Sequence, residues 1–188
     1  MGAPLQTVEP WLPLSLKASD LPWPERGNAL RLELNVEQSP RYAPRDDGMT
    51  FCNIYTTDYI AGMGIAAPRH WMMSTGDPAA VGKGLEMSAN RLCDWFEEHG
   101  ARYGWMAADS VTAQNAAERG HVVVVCWKNP TKRPGHIAVV VGRDRISQAG
   151  RRNHFLCTVR MGFGDLKPLK FYVQMDRPNG HNDGVRNG

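Results

Sequence analysis

The chain has 188 residues, 42% of them apolar and 22% charged, with a formal net charge of +3. That length suits one domain with a core of ordinary size, and so mild a positive charge excludes the basic footprint of a nucleic-acid-binding protein. Residues 1–30 are broken by Pro4, Pro10, Pro13, Pro22 and Pro24 and hold no long apolar run, so they read neither as a secretory signal nor as a membrane span.

In chain order, residues 1–29 read as a proline-rich arm lying on the domain, with Trp11 and Trp23 as anchors. Residues 30–36, Leu-Arg-Leu-Glu-Leu-Asn-Val, alternate apolar and polar side chains as a half-buried strand does. Thr50 follows the flexible Asp47-Gly48 and is a good N-cap, which makes Phe51 the first helical residue and Cys52 the second. Ile54, Tyr55, Tyr59, Ile60 and Met63 then recur at helical spacing, and Gly62 and Gly64 mark the end. A second helix is predicted over residues 78–99, with Leu85, Ala89, Leu92, Phe96 and His99 on one face and Gly100 as the stop. A third covers 109–119, started by Asp109 or Ser110 and stopped by Gly120. Residues 121–128 and 136–141 are β-branched runs on either side of a Pro- and Gly-containing segment, and they read as adjacent strands joined by a turn. A tight turn near Gly142 sends a third strand back beside the second and brings Gln148 toward residue 136. The last strand spans residues 169–173. The expected organisation is therefore an arm (1–29), a single α+β catalytic domain (30–175) and a polar tail (176–188).

The chemistry centres on Cys52. A thiol is a weak nucleophile near neutral pH, since its unperturbed pKa is about 8.5, but the free N–H groups of a helix start and a nearby imidazolium both favour the thiolate. His136, directly after Gly135, lies at a strand edge and becomes a general-base candidate in the order cysteine then histidine. The amide oxygen of Gln148 is placed to accept the imidazole N–H and fix its orientation, with Asn153 as the other candidate. Trp95 and Phe96 read as core, whereas Trp71 and Trp105 lie near predicted loops and can flank a cleft. Cysteines 52, 93, 126 and 157 form no paired-ligand spacing, and His70, His121 and His154 share none either. Neither a metal nor a cofactor is implied, and reduced thiols are expected.

These motifs resemble the NlpC-like and CHAP-like, papain-like cysteine amidases and peptidases that cut peptidoglycan, phage endolysins among them. The resemblance covers about residues 35–173. It rests on Arg41-Tyr42 upstream of Thr50-Phe51-Cys52-Asn53, on Trp127-Lys128-Asn129-Pro130, on Gly135-His136-Ile137-Ala138-Val139-Val140 and on Gln148-Ala149-Gly150. It implies a nucleophile-bearing helix packed on an antiparallel sheet, with Cys52 as nucleophile, His136 as base and Gln148 as polar orienter. Tyr42 is then expected near the oxyanion region, and Tyr42, Trp71 and Asn153 as substrate-binding residues. CHAP-type sites commonly orient the histidine with a glutamate or asparagine farther downstream, which here points to Asn153. The activity implied is hydrolysis of a stem-peptide or muramoyl–L-alanine amide bond by a monomer. Such an enzyme is made in the cytoplasm and reaches the wall by a holin-type lesion or by secretion. A secreted antibacterial effector, with an immunity protein as partner, and a papain-like acyltransferase or transamidase are the alternatives.

Overall fold

The computed structural model describes residues 12–131, 133–166 and 168–176, which form five α-helices and eight strands. In chain order these are α1 (Trp23–Leu34), α2 (Cys52–Gly62), β1 (Trp71–Met72), β2 (Leu85–Glu86), α3 (Ala89–Glu98), β3 (Trp105–Ala108), α4 (Ser110–Glu118), β4 (Val123–Trp127), β5 (His136–Gly142), β6 (Arg145–Gln148), β7 (His154–Thr158), α5 (Val159–Phe163) and β8 (Lys170–Gln174). β1 and β2 make a small ribbon. The other six strands form one sheet in the order β3-β8-β4-β5-β6-β7, each antiparallel to its neighbour.

The β-branched runs suit this position because the sheet is covered on both faces. Val124, Cys126, Ile137, Val139 and Tyr172 point into a core shared with α1, α2 and α3. Their neighbours Val123, Val125, Ala138, Val140 and Phe171 point the other way, against Ala113 and Ala116 of α4 and Phe163 of α5. The architecture is thus mixed α+β, with helices on both sides of an antiparallel sheet, and α2 lies against β5. All four cysteines are free and buried.

Three sequence expectations are corrected. Residues 30–36 do not form a strand, because α1 takes Leu30 to Leu34 and a turn follows. An alternating pattern would put Leu30, Leu32 and Leu34 on one face, but Leu30 and Leu34, one helical turn apart, are buried while Leu32 is 61% exposed. Pro24 falls in the first turn of α1, where its missing N–H costs nothing, and Asn35 ends the helix in the left-handed region at φ 45°. Glu33 accepts the N–H groups of Lys17 and Ala18 at 2.6 Å each, and Leu14, Leu16, Leu21 and Trp23 pack on the core. From Leu14 on, the segment read as an arm thus packs against the core. Trp11 and the tail beyond residue 176 lie outside the described residues.

The second correction is that α3 is only half the predicted length. The Cβ that any other residue would add at Gly84 falls 2.4 Å from the Met72 carbonyl oxygen, so the chain passes close to β1 there and pairs as β2. Ser88 then caps α3 by accepting the Arg91 N–H. The third is that the N-cap of α2 is Phe51, with no side-chain cap bond, rather than Thr50. The predicted 109–119 helix, by contrast, is α4, and Asp109 accepts the N–H groups of Val111 and Thr112.

A buried ion pair holds α2 from its far side. Arg41 Nε lies 2.6 Å from Asp58 Oδ2, the Tyr42 hydroxyl donates to the same oxygen at 2.8 Å, and Arg41 also donates to the Leu12 carbonyl. Burial pushes the Asp58 carboxyl above its ordinary range, and the guanidinium and phenol pull it back. Arg41→Leu leaves that carboxylate buried without its cation, which costs on the order of 3 kcal/mol. Urea unfolding should show the midpoint falling with an unchanged slope. A loss under about 1 kcal/mol would show that the pair contributes little to stability.

Candidate active site

Antiparallel pairing puts the first residue of β5 and the last of β6 at the same edge of the sheet, so His136 and Gln148 meet there. His136 Nε2 donates to Gln148 Oε1 at 2.5 Å. The other ring nitrogen, Nδ1, makes no bond to Gln148 and is the one open to Cys52, whose thiol and the imidazole shift each other's titration. Cys52 is the first residue of α2. The first bond within that helix runs from Tyr55 N to Phe51 O, so the N–H groups of Cys52, Asn53 and Ile54 have no intrahelical acceptor, and that of Asn53 acts on the thiol.

The electrostatics follow from this geometry. Burial alone pushes the Cys52 thiol up, but the hydrogen bond and charge of His136, with the N–H groups of Ile137 and Asn53, outweigh it and lower the pKa. Burial alone pulls His136 down. The hydrogen bond to Cys52, the charge of Cys52 and the Gln148 carbonyl raise it instead. Each ionised form therefore favours the other, which moves the two pKa values toward one another.

Several residues without an obvious sequence signal build this arrangement. Tyr55 of α2 and Ser147 of β6 share a buried hydrogen bond of 2.5 Å, which ties the cysteine helix to the glutamine strand. Asn53 donates to the Met87 carbonyl at 2.9 Å. Asn90 of α3 accepts the Asn129 N–H and donates to the Arg133 carbonyl, both at 2.9 Å, and so fixes the loop that leads into His136. Gly135 sits under that bracket, where a Cβ would meet Asn90 Oδ1 and the Trp127 carbonyl at 2.3 Å. The Phe163 ring covers the imidazole at a centroid distance of 4.8 Å. At Gly162 a Cβ would fall 2.5 Å from Ile146 Cδ1 and 2.7 Å from Gln148 Oε1, so only glycine leaves the orienter its place.

A cleft of about 1210 Å³ opens over the site and is lined by Cys52, His136 and Gln148 together with the loops around them. Four sequence-predicted residues lie elsewhere. Tyr42 is fully buried, bonded to Asp58 and edge-on to Tyr55, so it does not face the oxyanion region. Trp71 opens β1, packs edge-on against His70 and is not part of the cleft wall. Trp105, too, is buried and donates to the Ala67 carbonyl. Asn153 does not touch His136. Its oxygen accepts the Gly150 N–H and its amide donates to the Val36 and Tyr42 carbonyls, all at 2.9 Å, so it secures the loop after β6 and leaves the histidine to Gln148.

A scan against protein-family models finds no match for the chain. A search of curated proteins finds none either.

A nucleophile paired with a base, an oriented imidazole and free N–H groups beside the sulfur are what acyl transfer requires. Gln148→Ala and Gly162→Ala should each slow hydrolysis of a chromogenic activated ester on the order of tenfold, part of what a general base contributes. The loss should fall on kcat, with KM nearly unchanged. Folded Gly162→Ala protein with a wild-type rate would show that the Gln148 contact does not position the base.

Proposed function

We propose that the protein is a papain-like cysteine hydrolase that cuts an amide bond of peptidoglycan, in the stem peptide or at the muramoyl–L-alanine link. The observation that carries this reading is the Cys52–His136–Gln148 chain of contacts at the N-terminus of α2, open to a cleft. The resemblance of the surrounding motifs to wall-cutting amidases supports the substrate class. A helix bearing the nucleophile and packed on an antiparallel sheet fits the papain-like arrangement.

In the first step the Cys52 thiolate attacks the carbonyl carbon, and the oxygen takes the negative charge within reach of the Cys52 N–H. One such donor is typically worth on the order of 3 kcal/mol in the transition state. The carbon–nitrogen bond then breaks, and the amine leaves with the proton that His136 gives it. In the second step His136 takes a proton from water, the hydroxide oxygen attacks the thioester carbon, and the acid departs as the thiolate is restored. Gln148 holds Nε2 throughout, so the ring keeps Nδ1 toward the sulfur. The site of action is the wall, reached after lysis or secretion, and no described helix is long and apolar enough to cross a membrane.

Purified Gram-negative sacculi should lose turbidity with the wild type and keep it with Cys52→Ala, and the masses of the released fragments should name the bond. Clearing by both proteins would remove Cys52 as nucleophile. Clearing by neither, with folded protein, would overturn the wall-hydrolase reading and bring forward an acyltransferase.

A further inference from the structure

The walls of the cleft carry a charge pattern that the thiol chemistry does not use. Arg91, Arg133, Arg151 and Arg152 line it, against a single carboxylate, that of Glu86. This surplus of three equals the formal net charge of the whole chain, +3, so the rest of the 22 cationic and 19 anionic side chains balance. None of the four guanidiniums has a carboxylate within ion-pair distance among the described residues. The Glu86 carboxylate is turned toward His70, 3.4 Å from its Nε2.

The four arginines stand in two banks on either side of the reacting groups. Along the sheet edge the order is the loop between β4 and β5 with Arg133, then His136 on β5, then Gln148 on β6, then the loop between β6 and β7 with Arg151 and Arg152. Arg91, in the first turn of α3, also lines the cleft, from the helix whose Asn90 binds the Arg133 carbonyl. Both banks are held in advance. Asn90 fixes the first loop, and Arg91 itself donates to the Glu86 carbonyl at 2.7 Å. Asn153 fixes the second loop through bonds to three backbone groups. Like charges gathered in one concave wall repel, and an anionic ligand relieves that repulsion. Guanidiniums bind carboxylates in a bidentate fork, and a pre-set loop loses little freedom when it does so.

We infer that the cleft selects a peptide with free carboxylates on both sides of the scissile amide, received by Arg91 with Arg133 on one side and Arg151 with Arg152 on the other. The inference takes the wall stem as its probe from the reading above. Asn90 and Asn153 are positioning residues for these banks.

The test is calorimetric binding of full-length Cys52→Ala protein to a synthetic wall-stem tetrapeptide with free carboxylates and to the same peptide with its carboxylates amidated. The free acid should bind at least about tenfold more tightly, a margin that added salt reduces. Adding Arg151→Gln with Arg152→Gln should remove part of the margin, and adding Arg91→Gln with Arg133→Gln should remove another part, with melting temperatures held. Equal affinity for the two peptides, or no binding to either, overturns the inference. So does a margin that depends on one bank alone. Turnover of both peptides by the wild type is read separately. Selective binding without cleavage would sink the hydrolase reading and leave carboxylate selection standing, and cleavage without selectivity would do the reverse.

Discussion

The structure turns on one electrostatic contact, that between the Cys52 sulfur and the His136 ring across the junction of α2 and β5. Burial opposes the ionised form of each group, and the charge of each favours that of the other. That mutual support holds only while the sulfur and the ring stay in register. Most of the polar contacts around them serve that condition. Gln148 and Phe163 hold the ring, the Tyr55–Ser147 bond holds the helix to the sheet, and Gly162 leaves the space in which Gln148 can reach Nε2.

The polar groups around Cys52 and the arginines of the cleft stand on different parts of the fold. Cys52, His136 and Gln148 stand at the ends of regular elements, where backbone bonds leave little freedom. The arginines stand on adjoining loops and on the first turn of α3, and they are exposed. Two asparagines, Asn90 and Asn153, bind those loops back to the scaffold. Under the proposed function, such a division would let loop side chains alter ligand preference without disturbing the Cys52–His136 contact.

The parts of this arrangement legible in the sequence were those written in local pattern. The valine runs of β4 and β5 are buried on both faces, so their composition pointed to strands whatever the tertiary context, and the turn after them placed Gln148 opposite His136. Alternation in residues 30–36 pointed the wrong way because three leucines spaced by two satisfy a strand, while two of them also satisfy a helical turn, and packing chose the latter. The family resemblance misplaced Tyr42 and aromatic type misplaced Trp71, since a buried tyrosine bonded to a carboxylate and a cleft tyrosine are the same letter. Asn153 and Gln148 were both plausible orienters. What separates them is that one sits at a strand end and the other in a loop whose carbonyls and N–H groups claim it. Asn90, Phe163 and Gly162 act on the site from distant stretches of chain, and nothing local marks them.

The central claim, that Cys52 and His136 ionise as a pair, is tested most directly by the pH dependence of Cys52 alkylation with iodoacetamide, read by mass spectrometry of the peptide that contains it. In the wild type the rate should stay high below the ordinary thiol range and fall only as pH drops through the lowered pKa. In His136→Ala the same fall should move to higher pH, because burial then acts without the imidazolium to oppose it. Superimposable profiles for the two folded proteins would contradict the account, since they would mean that the histidine does not share the charge of the thiol.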